Sequence, residues 1–326
     1  MRVNVGIDVS KDSLDFCLLL NQTKRGRKFR CFKNRKIDYL NINDWLLKQA
    51  RCPPEEIVIT MESTGVYHEA IALYLHTSGF QIIISNPGRA KKFSQSLGLI
   101  HKTDKSDSYM LARYGDAQYE HASLWKPDAE NIRSIKALVR RLSALEKDRL
   151  RESNRLEACI ISGSYERVLL SIKRIVHILD DEIRTLNVKL MSCPFMSKNH
   201  DLLMSVVGIG KVMSRELVYL FSAKSFSTAK QAAAFVGLTP RLNESGSFKG
   251  RTTLSKIGPS RIRSKIFLAA VSAGKYNPDI KAQKKRPLAA GKTKMQALGA
   301  AMRKLIQICF GVIKNQTRYQ SALTLN

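Results

Sequence analysis

Acidic side chains are scarce in this 326-residue chain: 27 Asp and Glu stand against 55 Lys and Arg, a formal net charge of +28. A balanced, self-neutralising surface is therefore excluded, and a polyanionic partner is expected. Long apolar runs are also missing. The stretches at residues 18–20 and 82–84 fall far short of the ~18 residues that a membrane span requires, so no membrane partner is expected. The chain reaches Asp8 before any signal-peptide core has formed, which predicts a cytoplasmic protein. The six cysteines (Cys17, Cys31, Cys52, Cys159, Cys193 and Cys309) form no CxxC pair and none lies at short spacing from a histidine, so neither a disulfide framework nor a zinc site has a signature. Hydrophobic residues still make up 44%, enough for real cores.

The positive charge is concentrated. Residues 195–326 hold 23 basic and only 4 acidic side chains, against 17 and 11 in residues 1–110 and 15 and 12 in residues 111–194. A third of the chain stripped of acids is the footprint of a nucleic-acid contact. Lys211, Arg241, Lys249, Arg251, Lys256, Arg261 and Arg263 are its candidate phosphate ligands.

Periodicity divides the chain in three. Residues 1–125 alternate strands (3–7, 14–20, 28–32, 57–61, 81–85) with helices (43–50, 66–77), predicting an α/β domain with a mixed sheet and helices on its faces. Asn86-Pro87-Gly88 reads as the stop of the last strand. In residues 126–194, apolar positions step by three and four through Ile135, Leu138, Leu142 and Leu145, break at Ser162-Gly163-Ser164, and resume through Leu186, as in a helical hairpin or coiled coil. Residues 195–326 form a mainly helical, basic domain. There Val207-Gly208-Ile209-Gly210 marks the turn of a helix-hairpin-helix-like element, which offers backbone N–H groups to a phosphate.

Four acids stand out. Asp8 follows the first strand and Glu62 follows the strand at 57–61, while Asp104 and Asp107 lie three apart, on one face if helical. Taken singly, Asp8 suits a turn, Asp104 a helix N-cap and Asp107 a first turn. Taken together, they would repel one another unless a cation lay between them, and oxygen ligands alone select magnesium or manganese. A second candidate is Ser245, in a glycine-punctuated basic stretch from Gly237 to Arg251 where a hydroxyl is exposed near cationic side chains. Decoys are dismissed on spacing: Gly291-Lys292-Thr293 has Arg286 where a P-loop needs glycine, and the six histidines lack ligand spacing.

These motifs, in this order, resemble one family. Gly6-Ile7-Asp8-Val9-Ser10-Lys11, Glu62-Ser63-Thr64-Gly65, and Lys102-Thr103-Asp104 with Asp107 are similar to the DEDD-type insertion-sequence transposases with a RuvC-like domain, the "one-ten" family. Phe235-Val236-Gly237-Leu238-Thr239-Pro240, Glu244-Ser245-Gly246 and Ser255-Lys256-Ile257-Gly258 resemble its serine-bearing domain, shared with the Piv DNA invertases. The resemblance implies an RNase H-like (RuvC-like) fold for residues 1–125, magnesium on Asp8, Glu62, Asp104 and Asp107, and Ser245 as nucleophile in a phosphoserine link to DNA. It further implies target and donor DNA, a structured non-coding RNA encoded by the element, a homodimer or homotetramer, and an association with the nucleoid. A RuvC-like junction nuclease and a non-catalytic nucleic-acid scaffold remain the alternatives.

Overall fold

The computed structural model describes residues 2–20, 26–63, 65–98, 103–250 and 252–321. Two compact units divide the chain, residues 1–127 and 128–326.

The first unit is built on a five-stranded sheet. Strands β1 (Val3–Val9), β2 (Ser13–Leu19) and β3 (Arg27–Lys33) form an antiparallel meander. β4 (Ile57–Glu62) then pairs parallel to β1 and β5 (Gln81–Ser85) parallel to β4, giving the order β3-β2-β1-β4-β5. This three-strand meander followed by parallel strands is the RNase H-like topology. Alternation sorts the faces. Val3, Val5, Ile7 and Val9 of β1, with Leu14, Phe16 and Leu18 of β2, bury against α1 (Tyr39–Ala50) and α2 (Tyr67–Thr77). The opposite face of β4 and β5, through Val58 and Ile83, packs Ala90 of α3 (Pro87–Ser96) and Met110, Leu111 and Tyr114 of α4 (Asp104–Gln118). Asn86-Pro87-Gly88 corrects the sequence reading. It does end β5, but it also starts α3: the Asn86 side chain accepts from Gly88 N–H, and Pro87 takes the first helical position, where its missing N–H costs nothing.

In the second unit, α5 (Glu130–Ile161) and α6 (Glu166–Met191) form the expected hairpin, broken at Ser162–Ser164. The base of α5 (Ile135, Val139, Leu142) and Leu190 share one core with α7 (Pro194–Met204), α8 (Lys211–Ala223), α9 (Ala229–Phe235), α10 (Ser260–Tyr276), α11 (Pro278–Ala289) and α12 (Lys294–Asn315). By length and composition α12 could cross a bilayer, but Ala301, Leu305, Ile306 and Cys309 are fully buried in this core. Between α9 and α10, the stretch read as loop forms two short ribbons: β6 (Pro240–Arg241) with β9 (Thr253–Leu254), and β7 (Glu244–Ser245) with β8 (Phe248–Lys249).

Candidate active site

The site begins with a missing side chain. A Cβ on Gly6 would stand 1.9 Å from the Ser108 carbonyl oxygen and 2.4 Å from the Ala112 nitrogen, so α4 lies with its backbone directly on β1. Asn4 Nδ2 donates to Asp116 Oδ1 at 2.9 Å further along, which fixes the helix antiparallel to the strand. The first turn of α4 therefore reaches the end of β1 that carries Asp8.

That turn is capped by Thr103, not by Asp104 as a cap reading of the acids would have it. Thr103 Oγ1 accepts from Ser106 N–H, and Ser106 Oγ accepts from Thr103 N–H. Asp8 does not make its turn either: Ser10 and Ser13 do, with Ser13 N–H donating to Ser10 Oγ at 2.9 Å. Asp8, Asp104 and Asp107 are thus not consumed by local structure. The two helix acids gain from the positive end of the helix dipole.

Strand register adds a residue that sequence reasoning missed. Asp15 of β2 stands directly opposite Asp8 of β1, and opposed residues in an antiparallel pair share a face. Glu62 follows the Ile7–Met61 pair by one position, so it is level with Asp8 on the other side. Asp15, Asp8 and Glu62 therefore form a row across three adjacent strands, with Asp104 and Asp107 above it. Their mutual effect falls on Asp8: burial first, then repulsion from Asp107, Asp104, Asp15 and Glu62, push its carboxyl up to about 6. Asp15 in turn accepts from Ser13 Oγ and raises the neighbouring Cys31 thiol, which burial raises most.

Among the described residues no three His, Cys, Asp or Glu side chains converge closely enough to enclose an ion. Strands ~4.8 Å apart keep neighbouring carboxylates side by side rather than wrapped about a point. The donor chemistry nevertheless fits a hard divalent cation: the row and the helix turn present carboxylate oxygens only, and their repulsion falls when positive charge enters.

Ser245 belongs to the second unit. It sits exposed beside the two-residue turn of the β7–β8 hairpin, where Gly246 takes φ +55°, a left-handed value suited to glycine. A clasp between two motifs holds the base of this arm. Ser255 N–H donates to the Thr239 carbonyl at 2.8 Å, a Cβ on Gly237 would meet the Ile257 carbonyl oxygen at 2.6 Å, and one on Gly258 would meet the Phe235 carbonyl oxygen at 1.9 Å.

The candidate phosphate ligands divide. Lys211 opens α8 after the Gly210 N-cap; Arg241 and Lys256 are exposed near the arm, Lys256 with φ +53°. Arg261 instead donates to fully buried Glu216 at 2.6 Å, with Lys265 on the other carboxylate oxygen at 2.9 Å. Arg263 donates to the Val236 and Gly258 carbonyls and so braces the clasp. Lys249 is placed only as a strand position, and Arg251 lies outside the described residues.

Comparison with known proteins fits both halves of this arrangement. Residues 5–162 match the family model of DEDD transposases of the IS110 type, and residues 200–285 match that of the transposase IS116/IS110/IS902 family. Over 331 aligned residues the chain is 30% identical to the pilin gene-inverting proteins of Moraxella lacunata and Moraxella bovis, covering 99% of each chain. The chain belongs to the IS110 family of transposases and DNA invertases. A more distant relative is the transposase for insertion sequence element IS1328 of Yersinia enterocolitica, 23% identical over 292 residues, 82% of each chain. Among solved structures, T. thermophilus RuvC in complex with a Holliday junction substrate aligns with 38% of this chain and 100% of its own at 14% identity, with a TM-score of 0.29. The RNase H-like assignment rests on strand order rather than on that overlap. As an IS110-family member the protein is a DNA recombinase, and its DEDD class implies dependence on a divalent metal in general.

Proposed function

We infer that this recombinase cuts and rejoins DNA through a phosphoserine intermediate, with Asp8, Glu62, Asp104 and Asp107 serving the phosphate and Ser245 attacking it. The observation that supports the reading is that Asp8 and Glu62 lie level on one sheet face beneath the helix turn bearing Asp104 and Asp107, in a chain that also presents Ser245 beside a hairpin turn. Magnesium (or manganese) is the expected ion, and when bound on the carboxylates it would neutralise their charge and polarise the phosphate oxygens. The Ser245 Oγ forms the new ester bond to phosphorus as the opposite P–O bond breaks, and the proton lost from the serine hydroxyl is matched by one taken up on the leaving oxygen, so that one strand end departs as a free hydroxyl. Reversal by a different strand's hydroxyl rejoins DNA and returns the serine. Water in place of serine would lose the ester and leave only a nick, which separates recombination from hydrolysis.

Because the acids and the serine occupy separate compact units, protomers of a homodimer or homotetramer can supply the two halves to one phosphodiester. Target and donor DNA are the substrates, and an element-encoded structured RNA is the guide that a chain of charge +28 can hold. A cytoplasmic, nucleoid-associated location follows from those substrates. Ser245→Ala is expected to abolish recombination and the protein–DNA adduct seen on denaturing gels while DNA binding persists. Recombinants at wild-type yield from that variant would end the assignment; nicks without an adduct in the wild type would select the hydrolytic nuclease.

A further inference from the structure

The acidic row has a basic neighbour that the function so far leaves unused. From Lys24 to Lys36 the chain carries eight Lys and Arg and no Asp or Glu. Most of this segment is β3, the outer strand of the sheet, with one side unpaired. Lys28, Phe29, Arg30 and Lys33 are exposed, Phe29 at 42%. Among the described residues no carboxylate forms an ion pair with Lys28, Arg30 or Lys33. Register ties the strand to the site: Cys31 lies opposite Asp15 and Lys33 opposite Ser13, so Phe29 and Lys33 share the face that carries Asp15, Asp8 and Glu62. Lys28 and Arg30 alternate to the other face, opposite Leu18 and Phe16, where Lys28 donates to Gln49 and Arg30 lies over the Phe32 ring, so the edge carries cations on both sides. Arg27 stacks over the Tyr109 ring at 4.0 Å and donates to its hydroxyl at 2.9 Å, which fastens β3 to the helix bearing Asp104 and Asp107.

An exposed edge strand does need charge to prevent strand addition, but either sign or a mixture would serve. Charge of one sign on both sides of an edge, with the exposed Phe29 ring and Lys33 on the side of the carboxylate row, matches a single nucleic-acid strand instead. Cations meet phosphates, the ring meets a base, and unpaired backbone N–H groups add neutral donors. We propose that the β3 edge seats the single-stranded DNA flanking the phosphate that enters the acidic row. This extends the reading of the row as the cleavage centre and adds a DNA surface outside the basic C-terminal third.

The test uses the full-length protein with Lys28→Ala, Arg30→Ala and Lys33→Ala combined, a labelled single-stranded oligonucleotide carrying the cleavage sequence, and 5-iodouracil beside the cleavage position. At about 0.7 per single-strand phosphate, loss of three contacts should make the log–log salt dependence of binding shallower by about 2 and weaken binding by about tenfold or more at 0.1 M salt. The unfolding midpoint should stay unchanged, and photocrosslinking of the wild type should mark Phe29. An unchanged slope, crosslinks that avoid β3, or a loss confined to structured RNA with DNA binding intact would each overturn the proposal. Asp107→Asn separates the two readings: if it still cuts DNA in chelator while the triple variant loses slope, the cleavage reading fails and the binding surface stands.

Discussion

Gly6 decides at one position whether the site exists. With the Ser108 carbonyl oxygen 1.9 Å from any added methyl group, Gly6→Ala must lift α4 off β1. A cost of about 3 kcal/mol is expected from such overpacking, read as a lowered urea midpoint, with cleavage lost more completely than stability. Asp8 makes the opposite trade. Its folded carboxyl titrates near 6 against an ordinary 3.8, so its contribution to stability is present below pH ~4 and lost as pH rises through 6. Asp8→Asn should therefore raise the melting temperature of chelator-treated protein at pH 7.5, do little at pH 4, and abolish cleavage. A variant that melts lower than wild type at pH 7.5 would contradict the repulsion argument. Asp8 and Glu62 stand out in the sequence because each closes a short β-branched run, although the structure keeps both within their strands rather than after them, and Asp104 and Asp107 because they share the first turn of a helix. Asp15 does not, since it lies inside the run Leu14-Asp15-Phe16-Cys17-Leu18 and becomes visible only when register pairs it with Asp8.

Elements show where local patterns suffice and where they do not. β5 could be bounded at residues 81–85 because a short β-branched run ends in a turn signal. Its neighbour α3 was hidden because Asn-Pro-Gly serves turns and helix starts alike, and only the hydrogen bonds from Gly88 and Arg89 to the Asn86 side chain tell which. The two-residue strands of the Ser245 arm are too short for any periodicity, and long-range pairing alone creates them. At this scale the capping box of α4 is the part that can be tested without touching a carboxylate. Thr103→Ala should cost about 1 kcal/mol in thermal unfolding, and by fraying the turn that holds Asp104 and Asp107 it should lower turnover more than DNA affinity. Equal losses in both would argue against a positioning role for the cap.

For the whole molecule, net charge overstates the number of contacts with DNA. Arg261 and Lys265 neutralise buried Glu216, Arg215 pairs with Glu146 at 2.7 Å, and Arg263 holds main-chain carbonyls. Arg261→Ala should thus destabilise the fold by about 2 kcal/mol and leave the salt slope of DNA binding intact, whereas Lys256→Ala should do the reverse. Chemical denaturation beside salt titration distinguishes them. The clasp beneath Ser245 has a further consequence. Residues 239 and 255 lie side by side, joined by a backbone bond of 2.8 Å and a hydroxyl pair at 3.2 Å, so everything between them departs from and returns to a single point. Beyond the β6–β9 ribbon, whose Leu254 packs on α12 at Gly299, such a cassette can be lengthened by matched insertions in both legs, or exchanged for a relative's, without disturbing the helices that anchor it. Each added pair would carry the hydroxyl ~3.4 Å farther out.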